Sequence, residues 1–140
     1  MSDNSFIVGI YEHPTRLATN ASVAQLHAEV AIGALKDAGL SKDDVDGYFC
    51  AGDAPGIGPL SILEYLGLDV SYADSTDIGG SSPIAQVGHA MRAIRDGKCK
   101  VALITSAGRP RSEEAAAGNL TERPESVSYT HLTLPTILLV

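Results

Sequence analysis

The sequence predicts an α/β fold in which a mostly parallel or mixed sheet is flanked by helices. Short apolar runs of strand length alternate with longer segments whose apolar residues recur every three or four positions. Gly39 and Gly97 follow two of these longer segments, where a left-handed residue commonly ends a helix. Strands that alternate with helices are joined by right-handed crossovers and form parallel pairs.

The first half of the chain contains two predicted strands and one long helix. Residues 6–10 form a short apolar run that is typical of a buried parallel strand. Residues 22–25 fit a capping box, and an apolar stripe follows them as far as Gly39. Residues 41–44 are a polar turn, and residues 45–50 are a second apolar strand.

The second half continues the alternation. Residues 52–59 form a glycine and proline loop, which we interpret as a connector because it lacks the Gly-Lys-Ser/Thr ending of a phosphate-binding loop. A short helix is predicted over residues 60–66, and a strand over residues 70–76. A further helix runs from Ser82 to Gly97, and residues 101–105 form another strand.

The turn at residues 77–83 is the main candidate for a functional site. Ser82 is predicted to be the N-cap and Pro83 the first helical residue. A helix N-terminus offers unpaired N–H groups and partial positive charge, so Gly80, Ser81 and Ser82 lie where an anion or a carbonyl oxygen can be held. We expect Gly79 and Gly80 to use positive φ and to leave no room for a Cβ atom. A plain strand–turn–helix connection is the alternative.

Several short motifs around this turn resemble the thiolase superfamily. Residues 93–97 read Ala-Ile-Arg-Asp-Gly and residues 101–104 read Val-Ala-Leu-Ile, as they do after the nucleophile-bearing helix of that family. The resemblance includes residues 31–40, 44–47 and 64–68 and covers most of residues 6–112. The usual family spacing places the nucleophile position, normally a cysteine, at Gly80.

Glycine cannot act as the nucleophile, so the chain resembles the sterol-carrier-linked, thiolase-like variants of this family, which lack the cysteine. Cys50 and Cys99 are expected to be buried core residues. Ser81 or Ser82 would be substitute nucleophiles, but no base is identifiable beside them, and His89 is expected to be a packing or interface histidine.

The resemblance implies an enzyme that acts on acyl-CoA thioesters by acyl transfer, thiolysis or retro-aldol cleavage. The alternative is a non-catalytic, acyl-CoA-binding subunit of a complex. A nucleotide-binding domain that uses the Gly79-Gly80 turn is a third interpretation, but the next strand, at residues 101–105, does not end in the acidic residue that such a domain needs.

The resemblance also implies the partners. No cofactor is expected to be bound permanently, and coenzyme A enters as part of the substrate. A homodimer would pair residues 72–76 with their two-fold mates. A small protein with a zinc ribbon and an OB-fold is a further implied partner.

Composition limits the remaining functions. The net charge of −7 argues against non-specific binding of nucleic acid, although Arg109 and Arg111 are candidates for a local basic patch. The two cysteines, Cys50 and Cys99, give neither a disulfide framework nor a metal-binding spacing. No signal peptide is visible and no segment is long enough to span a membrane, so we expect a cytoplasmic protein.

The end of the chain has an unusual sequence. Residues 127–136 back-translate in frame to GTC TCT TAT ACA CAT CTG ACG CTG CCG ACG, which resembles a transposon-based sequencing adapter. We therefore predict that residues 127–140 are not native, and that residues 1–126 are an incomplete N-terminal thiolase-like domain. A purely structural interpretation of residues 132–140 is a short apolar strand.

Overall fold

A computed structural model describes residues 4–15, 17–51, 54–109 and 136–140. These residues form five strands, three α-helices and one 3₁₀ helix, and they confirm the predicted α/β class. In chain order the elements are β1 (Ile7–Tyr11), α1 (Val23–Ala38), the 3₁₀ helix (Lys42–Asp44), β2 (Gly47–Cys50), α2 (Pro59–Leu66), β3 (Tyr72–Ser75), α3 (Ser82–Arg95), β4 (Ala102–Ile104) and β5 (Thr136–Leu139).

The strands form one mixed sheet in the order β1-β5-β4-β2-β3. β2 lies between β3 and β4 and pairs with both in parallel, so that Tyr48 lies opposite Ala73 on one side and Leu103 on the other. β5 pairs antiparallel with β1 and with β4. The central strands β2 and β4 are buried along their whole lengths, as expected for a sheet with helices on both faces.

Side chains alternate across the sheet and build two apolar layers. On one face, Tyr48, Cys50 and Leu103 pack with residues of α1 and α2. On the other face, Phe49 and Ile104 pack with Ala90 and Ala93 of α3. This alternation is the period-two pattern of a strand, and it places α3 alone on its side of the described sheet.

Helix α1 begins and ends at the predicted residues, but its cap is simpler than predicted. Ser22 is the N-cap, and its hydroxyl accepts the Gln25 backbone N–H at 3.0 Å. The Gln25 side chain donates to Glu29 Oε1 at 2.7 Å instead of reaching back to Ser22, so only half of the capping box forms. Gly39, with φ of 70°, ends the helix as predicted.

Strand β1 differs from the buried parallel strand that we predicted. Within the described residues it pairs only with β5, antiparallel, and lies at the sheet edge. Gly9 is buried, while Val8 and Ile10 are 40% and 50% exposed. An apolar run shows a tendency to be buried, but it does not show which neighbouring element covers it.

Strand β5 comes from the last residues of the chain. Ile137, Leu138 and Leu139 are buried between β1 and β4, so the structural interpretation as an apolar strand is confirmed for these residues. Residues 127–135 lie outside the described residues. A backbone ladder can accept many short apolar strands, so the non-native origin of residues 127–140 stays a prediction.

No helix within the described ranges is both long enough and apolar enough to cross a bilayer.

Candidate functional site

The connection from β3 to α3 is a hydrogen-bonded turn centred on Ser82. The Ser82 hydroxyl accepts the Ile78 N–H at 2.8 Å and donates to the Gly79 carbonyl at 2.7 Å. The Ser82 backbone N–H donates to the same carbonyl at 2.9 Å. Gly79 has φ of 70°, which is the left-handed conformation that favours glycine. One buried hydroxyl therefore fixes both ends of the turn.

The start of α3 is shifted by one residue from our prediction. Ser81 is the N-cap and makes no side-chain cap hydrogen bond, while Ser82 is the first helical residue and precedes Pro83. The reason is that the Ser82 hydroxyl bonds backward to the turn and not forward to the helix. The assignment of Ser81 and Ser82 as site residues stays a prediction.

Gly80 is less crowded than we expected. A Cβ atom built on Gly80 meets no heavy atom within 4 Å, and its φ lies outside the left-handed region. Only Gly79 has the predicted positive φ, and a Cβ there also meets open space. The expectation of no room at Gly80 is wrong because this end of the turn faces outward. Open space at Gly80 leaves its backbone approachable by a ligand.

The α3 N-terminus offers an unused donor, the backbone N–H of Ile84. The N–H groups of Ser82 and Ala85 are bound to the carbonyls of Gly79 and Ser81. Pro83 has no N–H, and the Ile84 N–H makes no hydrogen bond to a described residue. Ile84 is exposed. An oxyanion at this helix end would meet the Ile84 N–H and the positive end of the helix dipole.

Two side chains of α3 hold the end of the strand before the turn. Gln86 Nε2 donates to the Thr76 carbonyl at 3.2 Å, and the Thr76 hydroxyl lies 3.1 Å from His89 Nδ1. His89 Nδ1 also lies 3.0 Å from Asp74 Oδ2. Gln86 is buried, and within the described residues its Oε1 has no hydrogen-bond partner.

The Asp74–His89 pair was missed by the sequence reasoning, which identified His89 only as a packing or interface residue. The two residues are 15 positions apart on different elements. Side chains alternate between the two faces of β3, and side chains of α3 return to the same face every three or four residues. These two patterns allow Asp74 and His89 to face each other, and they are the only sequence signal for the pair.

Neither cysteine supplies the missing nucleophile. Cys50 and Cys99 are both buried, which confirms their predicted place in the core. Burial raises the pKa of the Cys99 thiol to about 11, and the nearby Asp46 carboxylate acts in the same direction. A thiol with such a pKa is almost entirely protonated at neutral pH and is a poor nucleophile.

A second polar cluster lies inside the core on the opposite face of the sheet. Thr105 Oγ1 lies 2.8 Å from His27 Nδ1 and 2.6 Å from the Tyr48 hydroxyl. Burial lowers the pKa of His27 to about 4 and raises the pKa of Tyr48. His27 Nε2 has no hydrogen-bond partner among the described residues. The cluster is closed to solvent and serves as part of the core.

The predicted basic patch lies only partly within the described residues. Arg109 Nη1 donates to the Ala21 carbonyl just before α1, and Arg111 lies outside the described residues. In the described ranges, no three His, Cys, Asp or Glu residues are arranged to hold a metal ion.

The sequence matches no protein-family model and no curated protein sequence. Its fold does match solved structures. The structure titled Ltp2-ChsH2(DUF35) aldolase matches with a TM-score of 0.71 and 24% identity, over 83% of this chain and 32% of that chain. A monomeric SCP2-thiolase like protein type 1 from Mycobacterium smegmatis matches with a TM-score of 0.58 and 26% identity, over 73% of this chain and 23% of that one.

A third match is an acetyl-CoA acetyltransferase from Syntrophomonas wolfei, with a TM-score of 0.62 and 19% identity. It covers 71% of this chain and 27% of the acetyltransferase. The chain thus spans about a third or less of the length of these three relatives. The α/β sheet with its flanking helices matches part of the thiolase-like fold, and this chain is structurally similar to thiolase-like proteins over that part.

Proposed function

We propose that the full-length protein to which this chain belongs acts on acyl-CoA thioesters and cleaves a carbon–carbon bond by a retro-aldol reaction. The observation that carries this proposal is the β3–α3 turn, in which an exposed Gly80 stands at the nucleophile position implied by the thiolase resemblance. The match to a structure titled as an aldolase supports the same reaction class.

A retro-aldol reaction does not need the missing thiol. In a β-hydroxyacyl thioester, a base takes the hydroxyl proton, the oxygen becomes a carbonyl, and the bond between the α and β carbons breaks. The electron pair passes to the thioester as an enolate, which then takes a proton at the α carbon. Negative charge develops on the thioester oxygen, and donors fixed at that position stabilise it.

The α3 N-terminus has the chemistry for this role. The Ile84 N–H has no partner among the described residues, and Gly80 leaves open space in front of the turn. The Ser82 hydroxyl holds the turn rigid, so the donor needs no rearrangement when charge develops. The acid and base are proposed to come from the remainder of the full-length protein.

Thiolysis is less well supported by the described cysteines. It requires an acyl-enzyme thioester on an activated thiolate. Cys50 and Cys99 are buried in the core, and the pKa of Cys99 is raised to about 11. A cysteine supplied by another part of the full-length protein would restore this reaction, and an assay with acetoacetyl-CoA would detect it.

The second candidate function is a non-catalytic acyl-CoA-binding subunit. The absence of a reactive side chain at Gly80 favours it. The match to the Ltp2-ChsH2(DUF35) aldolase, which is named as two components, supports a complex with a DUF35-type partner for either function. The zinc-ribbon and OB-fold protein implied by the resemblance is our proposal for that partner.

We also propose a homodimer through β3. This strand pairs only with β2 in the described sheet, so its other edge is available to a second copy. One structural relative is described as monomeric, so light scattering on the full-length protein is the direct test. A strict monomer would contradict the proposed dimer without affecting the proposed reaction.

The proposed reaction is tested with the full-length protein and a Gly80→Ala variant. The substrates are a β-hydroxyacyl-CoA for aldol cleavage and acetoacetyl-CoA for thiolysis. Because a Cβ at Gly80 meets no protein atom, the variant should fold normally while its methyl group obstructs the substrate. A methyl group that keeps the thioester oxygen away from the Ile84 N–H removes one oxyanion interaction. Such a loss lowers turnover by about 10²–10³-fold, and we expect an effect of that order for Gly80→Ala.

Gly88→Ala is the matched control, because Gly88 lies on α3 away from the turn and a Cβ there also meets no heavy atom within 4 Å. It should keep full activity. Cleavage by the wild type with an unaffected Gly80→Ala variant would overturn the site. Binding of acyl-CoA with no turnover of either substrate would support the non-catalytic subunit instead. The 140-residue chain alone is expected to be inactive.

A further inference from the structure

Two exposed isoleucines flank the glycines of the β3–α3 turn. Ile78 precedes Gly79 and Gly80, and Ile84 follows them in the first turn of α3. Ile78 and Ile84 are each 61% exposed. A Cβ atom built on either glycine meets no heavy atom within 4 Å, so the surface between the two isoleucines is open and carries little more than backbone. We call Ile78 and Ile84 the turn pair.

Helix geometry directs the Ile84 side chain toward this open surface. Side chains of an α-helix lean toward its N-terminus, so each one covers the turn that precedes its own Cα atom. Ile84 is the third residue of α3, and Gly80 comes four positions before it, just outside the helix. The apolar side chain of Ile84 therefore lies beside the open space at Gly80.

Ile84 offers two different contacts at the same place. Its backbone N–H makes no hydrogen bond to a described residue, and its side chain is apolar and exposed. A ligand that uses both contacts has a hydrogen-bond acceptor joined directly to an apolar chain. The carbonyl group of an acyl thioester, with its acyl chain attached, has this structure.

The position of the turn pair in the fold also suits a ligand. β2 and β3 pair in parallel, and the turn follows the carboxyl end of β3. In open α/β sheets, ligands commonly bind in the crevice outside the carboxyl ends of the parallel strands. The exposed apolar surface of the turn pair therefore lies at the edge of the sheet where a ligand is expected.

We propose that the turn pair contacts the acyl chain of the substrate and makes the protein select acyl-CoA thioesters with an apolar chain. The inference rests on the proposed function, because the Ile84 N–H holds the thioester oxygen while the turn pair contacts the carbons of the acyl chain. Full burial of one methylene group improves affinity by roughly fourfold. Affinity should therefore increase with chain length until the two side chains are covered.

The test measures dissociation constants by titration calorimetry on the full-length protein. The ligands are coenzyme A and its butanoyl, hexanoyl and octanoyl thioesters. These thioesters have no β-hydroxyl group, so the retro-aldol reaction cannot consume them during the titration. The octanoyl thioester should bind most tightly and the butanoyl thioester least tightly of the three.

Variants then test the two side chains. Ile78→Thr and Ile84→Thr keep a β-branched side chain and the backbone N–H, but they replace part of the apolar surface with a hydroxyl group. Each should leave the affinity for coenzyme A unchanged and should weaken binding of the octanoyl thioester by about fourfold or more, the effect of one methylene contact.

Ile32→Thr is the matched control. Ile32 is 65% exposed, and it lies on α1, which packs against the other face of the sheet from α3. This variant removes the same apolar surface from a site far from the turn, and it should leave the whole series of dissociation constants unchanged.

Three results would overturn the proposal. One is equal affinity of the wild type for the three thioesters. Another is an effect of Ile32→Thr as large as that of Ile84→Thr. The third is a loss of dimerisation or thermal stability in the turn-pair variants with an unchanged dependence on chain length, because the turn pair would then pack against a second copy or the remainder of the full-length protein.

The same measurements separate this proposal from the proposed reaction. Dependence on chain length through the turn pair, without turnover of a β-hydroxyacyl-CoA, would support the acyl contact and contradict the retro-aldol reaction. Turnover without any dependence on chain length would contradict only the acyl contact. A full-length protein that binds none of the thioesters would contradict both proposals.

Discussion

Acidification should destabilise the chain through His27, and the size of the effect follows from its burial. The side chain is 2% exposed, and burial lowers its pKa from 6.5 to about 4. The unfolded chain protonates this imidazole near pH 6.5, whereas the folded chain keeps it neutral until about pH 4. The free energy of unfolding therefore falls as the pH falls through this window, and the contribution of His27 is constant below it.

The magnitude comes from the difference between the two pKa values. A pKa difference of one between the folded and unfolded chain corresponds to about 1.4 kcal/mol. The pKa values of 6.5 and about 4 therefore give a maximum loss of about 3 kcal/mol in the free energy of unfolding. This is a large share of the stability of a small domain, which is typically about 5–15 kcal/mol.

The assay is urea unfolding of the chain, followed by far-ultraviolet circular dichroism at several pH values across the window. His27→Asn removes the titrating ring but keeps a polar group near Thr105 Oγ1. The variant should be less stable than the wild type, and its free energy of unfolding should lose most of its dependence on pH. His13→Asn is the control, because His13 pairs with Glu29 at the surface, and it should keep the dependence. An identical pH dependence in the wild type and His27→Asn would refute the reasoning.

Three further predictions concern the turn and the chain end. Gly79→Ala should lower the free energy of unfolding by about 1–2 kcal/mol, because alanine is strained at the left-handed φ of residue 79. Gly80→Ala should change the free energy of unfolding by less than about 0.5 kcal/mol. A larger loss for Gly80→Ala than for Gly79→Ala in thermal unfolding would contradict the turn geometry. Ser82→Ala should lower the free energy of unfolding by about 1–3 kcal/mol, because it leaves the Ile78 N–H without its acceptor. Ser81→Ala should leave the free energy of unfolding almost unchanged, because the Ser81 hydroxyl makes no cap hydrogen bond. Equal losses for the two variants in thermal unfolding would contradict this difference. Resequencing of the source DNA without the adapter should give a different continuation after about residue 126, and recovery of the same codons within a longer native gene would contradict the adapter interpretation.

The order and type of the elements in the described ranges could be predicted because they depend on local patterns. The apolar stripe of α1 and the glycines at positions 39 and 97 act within a few residues of the chain. The buried strands β2 and β4 are recognisable as short apolar runs for the same reason.

Most of the features that were wrong or missed depend on partners far apart in the chain. Whether β1 is covered depends on its position at the sheet edge, which its own sequence does not encode. The Asp74–His89 contact and the His27–Thr105 contact join residues 15 and 78 positions apart. The shift of the α3 cap has a local cause, but two adjacent serines are equally good candidates on sequence grounds, and only the direction of the Ser82 hydroxyl distinguishes them.

The bonds of Ser82 also bear on which reaction the turn can support. A nucleophilic hydroxyl must give its proton to a base, but the Ser82 proton is donated to the Gly79 carbonyl, which is not a base at neutral pH. Its oxygen is occupied by the Ile78 N–H, and the residue is buried. An attack by Ser82 would break both bonds and open the turn that presents the helix N-terminus. The same bonds favour a reaction that needs only a rigid arrangement of donors around a developing oxyanion. The geometry of Ser82 therefore supports the proposed retro-aldol reaction over an acyl-enzyme mechanism at this turn.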